Sequence, residues 1–314
     1  MYAITVNGLK KNYLKGKGGN FAGLNLTPPL SAFNVERGEI FGIIGPDGAG
    51  KTTLFRILAT LILPDEGSAT VEGFDIVGDY KKIRNITGYM PGRFSLYPDL
   101  TVKENLEFYA SVFGTTVKEN HASIEAIYRQ LEPFANRRAS KLSGGMKQKL
   151  ALCCALVHKP LLMLLDEPTT GVDPVSRKEF WQILRTLAQK GITIVVSTPY
   201  MDEASLCDRI ALMRNGSFLE IETPRKIVEG FTEPLYAAKS DNMYRLLRDI
   251  REAKQVKRCY TFGEMHRFTV TGTGFSPEGF SMELAAAGHK NVKVVPASPT
   301  VEDCYMQFTA KYEV

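Results

Sequence analysis

The stretch GPDGAGKTT, residues 45–53, constrains the fold of this chain more than any other segment. It follows the short apolar run IFGII and runs into TTLFRILATLIL, which has the apolar spacing and the length of a helix. The pattern G-x-x-x-x-G-K-[ST] between a buried strand and a helix is that of a phosphate-binding loop. Its glycines let backbone N–H groups turn toward phosphate oxygens, and the following helix directs its positive end at the anion. The sequence therefore predicts a nucleotide site on an α/β fold.

Two side chains of this loop have predicted chemical roles. Lys51 reaches the β- and γ-phosphates of a nucleotide, and the hydroxyl of Thr52 can ligate Mg²⁺. The residues of the loop that are predicted to bind the nucleotide are Gly45, Pro46, Asp47, Gly48, Ala49, Gly50, Lys51, Thr52 and Thr53.

The rest of the first 230 residues extends the α/β pattern. LLMLL (161–165) and ITIVVST (192–198) are continuous apolar runs, which is typical of parallel strands that are covered on both faces. SRKEFWQILRTLAQKG between them predicts an amphipathic helix that ends at Gly191. Strands that alternate with helices favour a mainly parallel sheet.

Other segments predict smaller structural units. AITVNGL, SAFNVERG and SATVEGFDI read as strands of an antiparallel subdomain, with an exposed loop at residues 16–29. Residues 99–158 predict a helical subdomain, which opens with a capping box from Thr101 to Glu104. We therefore expect one nucleotide-binding domain over residues 1–230 and a small α+β extension over residues 231–314.

A pair of carboxylates ends the predicted strand in LLMLLDEP, residues 161–168. Asp166 is a candidate ligand for Mg²⁺, directly or through water. Glu167 is a candidate general base that polarises an attacking water. On its own, such a pair could equally cap a loop, and the phosphate loop elsewhere in the chain favours the catalytic interpretation.

A second candidate phosphate site lies in KLSGGMKQKL, residues 141–150. Ser143, Gly144 and Gly145 begin a predicted helix, where free N–H groups and a hydroxyl can bind an anion without any lysine. Ser-Gly-Gly is more often a plain helix cap. Its position about twenty residues before the Asp-Glu strand favours a site.

Taken together, these motifs resemble those of the nucleotide-binding subunit of ABC transporters. LSGGM (142–146) is similar to the signature motif, GPDGAGKTT to Walker A, and LLMLLDEP to Walker B. The resemblance implies a P-loop NTPase core, ATP and Mg²⁺ as ligands, and Tyr13 against the adenine ring. GVDP (171–174) is similar to the D-loop, which implies that Asp173 lies at a dimer contact.

The resemblance also implies partners. Two such subunits face each other head to tail, so that each ATP lies between the Walker A loop of one and the signature of the other. Membrane-spanning permease subunits dock on a groove, here near residues 92–106. Bacterial drug- and polysaccharide-export ATPases are the most similar in pattern, including the ending SPTVEDCYMQF.

Two positions depart from the family pattern. A glutamine that helps to coordinate Mg²⁺ is replaced by Gly92, which has no side chain. A histidine that contacts the γ-phosphate is replaced by Pro199, which lacks even a backbone N–H group. We therefore expect ATP binding with slow or no hydrolysis in the chain's own site, while its signature serves a different subunit in a heterodimer. A slow homodimer that depends on Glu167 alone is the alternative.

Bulk composition limits the other functions. A net charge of +5 without a basic cluster argues against nucleic-acid binding. No apolar run approaches the roughly 20 residues that span a bilayer, and the start MYAITVNGLKK lacks a signal-peptide pattern. Five cysteines without a CxxC pair indicate buried, reduced thiols. We expect the cytoplasmic face of a cell membrane, bacterial by resemblance; a soluble ABC ATPase or a regulatory nucleotide sensor remains the alternative.

Overall fold

The computed structural model describes residues 2–15, 19–93, 95–272 and 274–310. The strands are β1 (Tyr2–Lys15), β2 (Gly19–Asn25), β3 (Ala32–Glu36), β4 (Ile40–Ile44), β5 (Glu66–Val71), β6 (Phe74–Asp75), β7 (Thr87–Met90), β8 (Leu162–Asp166), β9 (Thr193–Thr198), β10 (Arg209–Arg214), β11 (Ser217–Glu222), β12 (Leu235–Lys239), β13 (Val256–Phe262), β14 (Met265–Val270) and β15 (Lys293–Pro296). The α-helices are α1 (Lys51–Leu58), α2 (Tyr80–Ile86), α3 (Val102–Val112), α4 (His121–Leu131), α5 (Gly144–Leu156), α6 (Pro174–Gln189), α7 (Pro224–Glu229), α8 (Met243–Glu252), α9 (Pro277–Ala286) and α10 (Val301–Ala310).

Backbone contacts divide the chain into two compact units, one made mainly of Met1–Arg225 and one of Lys226–Gln307. The two domains expected from the sequence, residues 1–230 and 231–314, stay a prediction, because compact units do not show which segments fold independently.

The main sheet of the first unit has the strand order β11-β10-β4-β9-β8-β7. Its pairs from β10 to β7 are parallel, and only the β10–β11 pair is antiparallel. Every residue of β4, β8 and β9 is buried, because helices cover both faces of a parallel sheet. The predicted parallel core is therefore confirmed. It brings the carboxyl ends of β4, β8 and β9 to one edge of the sheet.

The predicted antiparallel sheet is also observed, in the order β2-β1-β5-β6 with β3 paired to β1. The exposed loop predicted over residues 16–29 is wrong for residues 19–25, which form β2 and pair antiparallel with β1. This strand could not be predicted from its own residues, because glycine and asparagine favour loops. Its stabilising partner is β1, about ten residues upstream. Residues 16–18 of the same prediction lie outside the described residues.

The three helices expected within residues 99–158 are α3, α4 and α5. The capping box at α3 is confirmed: Thr101 Oγ1 accepts a hydrogen bond from Glu104 N, and Glu104 Oε2 accepts one from Thr101 N. The two reciprocal bonds satisfy N–H groups that otherwise have no partner within the helix.

The second unit contains the strands and helices predicted beyond residue 231. Its sheet is antiparallel, with the order β13-β14-β12-β15. Numbered within the unit, this order is 2-3-1-4, and the elements follow as strand, helix, strand, strand, helix, strand. This is the split βαβ arrangement of ferredoxin-like domains. Phe268, Phe280, Leu246 and Ile250 form the centre of its core.

All five cysteines are free and buried, as predicted. Within the described ranges, no helix is long and apolar enough to cross a membrane.

Candidate functional site

The phosphate loop lies between β4 and α1, as the sequence predicts. Lys51 is almost completely buried, and its Nζ donates to the carbonyl oxygens of Gly45 at 2.8 Å and Pro46 at 2.9 Å. The same Nζ lies 3.0 Å from Glu167 Oε1. The lysine is therefore held at the centre of the loop by oxygen atoms, in the position from which it would contact phosphate.

Two loop glycines are required by close backbone packing. A Cβ atom at Gly45 would lie 2.2 Å from the carbonyl oxygen of Met213. Gly50 has a φ of +105°, and a Cβ there would lie 2.6 Å from the carbonyl oxygen of Gly23. Gly216 N donates to Ala49 O at 2.8 Å, so the β10–β11 turn also supports the loop. The sequence did not indicate these supporting contacts, because they come from distant segments.

The loop borders a cavity of about 320 Å³. Its lining consists of Tyr13, Gly23, Asp47, Gly48, Ala49, Gly50, Lys51, Thr52, Thr53 and Glu167. Tyr13 Oη lies 3.3 Å from Thr53 Oγ1, and the tyrosine ring covers Gly23, where a Cβ would be 2.3 Å from Tyr13 Cε2. The aromatic ring, the lysine and the carboxylate of Glu167 thus border one cavity.

The acidic pair stands at the end of β8, opposite Ser197 of β9. Ser197 Oγ donates to Asp166 Oδ1 at 2.7 Å and accepts from Glu167 N at 2.9 Å. Glu167 has a φ of +50°, a left-handed conformation that turns the chain sharply after the strand. Sequence reasoning missed Ser197, although a hydroxyl within the apolar run ITIVVST was a visible signal.

The two departures from the family pattern lie beside this pair. A Cβ at Gly92 would be 3.1 Å from Asp166 O and 3.7 Å from Glu167 Cβ. Pro199 directly follows β9, two residues beyond the Ser197 that pairs with Asp166. Neither residue has a side-chain hydrogen-bond donor, and Pro199 has no N–H group. Beside the acidic pair, this chain therefore lacks the two side-chain donors that a glutamine and a histidine would supply at these positions.

A buried carboxylate, also missed from the sequence, links the loops after β8 and β9. Glu203 Oε2 accepts hydrogen bonds from Thr169 Oγ1 at 3.1 Å and from Thr198 Oγ1. The guanidinium of Arg177 approaches Glu203 Oε1 at 3.8 Å. These contacts hold the segment around Pro199 against the segment that follows Glu167.

The LSGGM segment forms the start of α5, where Ser143 is the N-cap and its Oγ accepts from Met146 N at 3.4 Å. Asp173 is the N-cap of α6 and accepts from Val175 N and Ser176 N at 3.1 and 2.9 Å. The hydrogen bonds from Ser176 hold the pKa of Asp173 below its ordinary value. A Cβ at Gly145 would be 2.6 Å from Ser176 Oγ, so the two helix starts are packed together within the chain. They do not line the cavity around Lys51.

The donor types present fit a magnesium ion that is shared with nucleotide phosphates. Mg²⁺ is usually bound by one or two protein oxygen ligands plus phosphate and water. Thr52 supplies a hydroxyl in the cavity, and Asp166 supplies a buried carboxylate next to Glu167.

A second, mainly apolar cavity of about 270 Å³ lies between the end of β7 and the helices α3 and α5. Its lining includes Leu61, Arg84, Pro91, Leu96 and Tyr109. Tyr97 and Phe108, both partly exposed, form an edge-to-face pair at 4.7 Å on the same helical subdomain. This surface adjoins the stretch 92–106 that sequence analysis associated with a docking groove.

The parallel sheet, the phosphate loop and the acidic pair at the strand ends define a P-loop nucleotide-binding protein. The profile of the family described as "ABC transporter" matches residues 31–170. Nod factor export ATP-binding protein I of Bradyrhizobium diazoefficiens is 33% identical, over 89% of this chain and 90% of that protein. The chain therefore belongs to the family of ABC transporter ATP-binding proteins.

Two further similarities agree with this assignment. The "Probable multidrug ABC transporter ATP-binding protein YbhF" of Escherichia coli (strain K12) is 46% identical over 72% of this chain, which spans 38% of that protein. The dimeric structure of the ATP-binding cassette MJ0796 in a post-hydrolysis state with ADP and Pi has a TM-score of 0.62 and 27% identity. The matched region covers 70% of the present chain and 98% of the MJ0796 chain. The predicted P-loop NTPase fold class is thereby confirmed.

Substitution of two loop glycines is expected to have unequal effects. In Gly48→Ala the only cost is backbone strain, because the φ of residue 48 is +79°. The new Cβ has no clash, since no neighbouring atom lies within 4 Å of it. The substitution should lower the free energy of unfolding by about 1 kcal/mol. Gly50→Ala adds a clash with Gly23 O, so it should destabilise more and weaken ATP binding at least tenfold. Urea unfolding and nucleotide titration of both variants measure this; equal effects would contradict the close packing described for Gly50.

Proposed function

We propose that this chain is the ATP-binding subunit of a membrane ABC transporter of the export type. It binds Mg-ATP at the cytoplasmic face of the cell membrane and couples nucleotide binding to permease subunits. The single observation that carries the proposal is the buried Lys51 in an intact phosphate loop, next to the acidic pair Asp166 and Glu167. The name of the Nod factor export relative supports the export direction, and the name of the multidrug relative supports a role in an ABC transporter.

ATP binding requires exchange of the contacts that Lys51 now makes. The triphosphate takes the lysine from the carbonyl oxygens of Gly45 and Pro46 and from Glu167, while loop N–H groups bind the phosphate oxygens. Tyr13 stacks against the adenine from the other end of the cavity. Thr52 and Asp166 would hold a magnesium ion, which would neutralise phosphate charge.

Glu167 becomes available as a general base once the phosphate has replaced it at Lys51. Its carboxylate can then accept a proton from water that attacks the γ-phosphate. Gly92 and Pro199 supply no side-chain donor to orient that water. Removal of one oriented transition-state donor costs about 2.7–4 kcal/mol in the best-measured case, or roughly a hundredfold to a thousandfold in rate. We therefore infer that the chain's own site binds ATP but hydrolyses it slowly or not at all.

The groups that this chain offers to a second subunit are intact. Ser143 and Gly144 are exposed at the start of α5, Gly145 follows them against Ser176, and Asp173 caps α6 beside them. In a head-to-tail dimer these residues complete the ATP site of the facing subunit. A transport cycle needs at least one site that hydrolyses, so we infer a heterodimer in which a different ABC subunit supplies it.

The apolar cavity next to α3 and α5 is the proposed contact for the permease. It combines an apolar lining with Arg84 at its edge and adjoins the segment that contains Gly92. A helix of a membrane subunit that buries an apolar side chain there would contact both the helical subdomain and the vicinity of Asp166. Movement at the nucleotide site would then reach the membrane subunit through a direct contact.

A complementation experiment tests the role of Ser143 across the dimer. The triple variant Gly92→Gln/Pro199→His/Ser143→Arg has a repaired nucleotide site but a disabled signature. When it is mixed with the native chain, hydrolysis should appear in steady-state phosphate release, because the native Ser143 completes the repaired site.

The matched control is the same mixture with a Ser143→Arg version of the native chain. Its rate should fall to that of the triple variant alone, at least tenfold lower. Equal rates in the two mixtures would mean that Ser143 does not act on the facing site.

The docking cavity is tested by a charge placed in it. Leu61 lines the cavity and is half-exposed, whereas Leu63 is similarly exposed but does not line it. Leu61→Glu should remove most of the chain from the membrane fraction of its own cell with ATP affinity unchanged, because burial of a carboxylate against an apolar surface is unfavourable. The Leu63→Glu variant should stay in the membrane fraction. If both variants leave the membrane fraction, or both stay in it, the assignment of the cavity as the docking site is contradicted.

A further inference from the structure

Ser197 contributes a buried hydroxyl group beside the acidic pair. It is fully buried in β9, a central strand of the parallel sheet, where it follows the apolar residues Val195 and Val196. A buried hydroxyl is tolerated where it is hydrogen-bonded, and Ser197 Oγ makes two such bonds. Both go to the acidic pair: it donates to Asp166 Oδ1 at 2.7 Å and accepts from Glu167 N at 2.9 Å.

Only one of the two bonds has a substitute if the Ser197 hydroxyl is removed. Glu167 N also donates to the carbonyl oxygen of Ser197 at 3.1 Å, so it keeps an acceptor when the hydroxyl is removed. The bond to Asp166 Oδ1 comes from the hydroxyl itself. Loss of the hydroxyl therefore acts mainly on Asp166.

The orientation of Asp166 depends on this bond. A carboxylate has two oxygen atoms in one plane, and a short bond to Oδ1 restricts the direction in which the second oxygen points. Hydrogen bonds to charged acceptors are shorter and stronger than those between neutral groups. Partners that orient a metal-binding carboxylate contribute to metal affinity although they never touch the metal.

We propose that Ser197 is a positioning residue that orients Asp166 for the magnesium ion of Mg-ATP. The inference rests on the proposed function, in which Asp166 is the carboxylate that holds the ion. It adds a residue of β9 to the site and gives a separate measurable consequence: the benefit of magnesium for ATP binding depends on a side chain that contacts neither ligand.

The experiment measures ATP affinity of the full chain by calorimetric titration, once in excess EDTA and once in excess Mg²⁺. The native chain should bind ATP more tightly with Mg²⁺. Ser197→Ala should bind ATP in EDTA within about twofold of the native chain, and its magnesium-dependent gain should fall about tenfold. Asp166→Asn serves as the reference for complete loss of that gain.

Thr193→Val is the matched control, because Thr193 is a buried hydroxyl residue of the same strand whose Oγ1 accepts from Gly38 N at 3.1 Å, away from the nucleotide. It should keep the native magnesium gain, and thermal unfolding without nucleotide identifies any loss of fold in either variant. A native magnesium gain in Ser197→Ala would overturn the inference, as would an equal loss of affinity in EDTA and in Mg²⁺. Absence of magnesium-dependent ATP binding in the native chain would instead overturn the proposed function, and the inference with it.

Discussion

The carboxyl ends of three adjacent parallel strands, β4, β9 and β8, meet at one edge of the main sheet, and the candidate site depends on that arrangement. β4 leads into the phosphate loop, β8 ends in Asp166 and β9 ends beside Pro199. The register that pairs Asp166 with Ser197 also sets the distance from Glu167 to Lys51. A shift of one residue in any of these strands would turn each of its side chains to the opposite face of the sheet and separate the lysine from the carboxylates.

Much of this arrangement could be predicted from local sequence. Continuous apolar runs identified β4, β8 and β9, and the spacing of glycine, lysine and threonine identified the phosphate loop. These features are local, because a buried parallel strand needs apolar residues on both faces and a phosphate loop needs glycines at set positions. The capping box at Thr101 belongs to the same class of short-range signal.

Contacts between distant segments could not be predicted. The glycine requirement at Gly45 arises from Met213, more than 160 residues away, and β2 is stabilised by pairing with β1 although its own residues favour a loop. The role proposed for Ser197 depends on its register opposite Asp166, which a single sequence does not reveal. The strand order in the sheet of the second unit could not be predicted either. The same succession of helices and strands along the chain is compatible with several strand orders.

The chemical character of the site follows from what surrounds Glu167. Glu167, the proposed general base, is paired with Lys51, while the two neighbouring positions, Gly92 and Pro199, offer no side-chain hydrogen-bond donor. The backbone of Gly92 is not in the left-handed region, so nothing in its conformation requires glycine. In the proposed function, this site therefore supports phosphate binding more fully than phosphate cleavage.

The most direct measurement is single-turnover cleavage of ATP by the purified chain, compared with the Gly92→Gln/Pro199→His variant at saturating Mg-ATP. We expect the native chain to hold the nucleotide largely uncleaved and the variant to cleave it at least a hundredfold faster. If the native chain cleaves ATP as fast as the variant, Glu167 needs neither missing residue. The division of labour between two subunits would then lose its basis, and a working homodimer would be the better description.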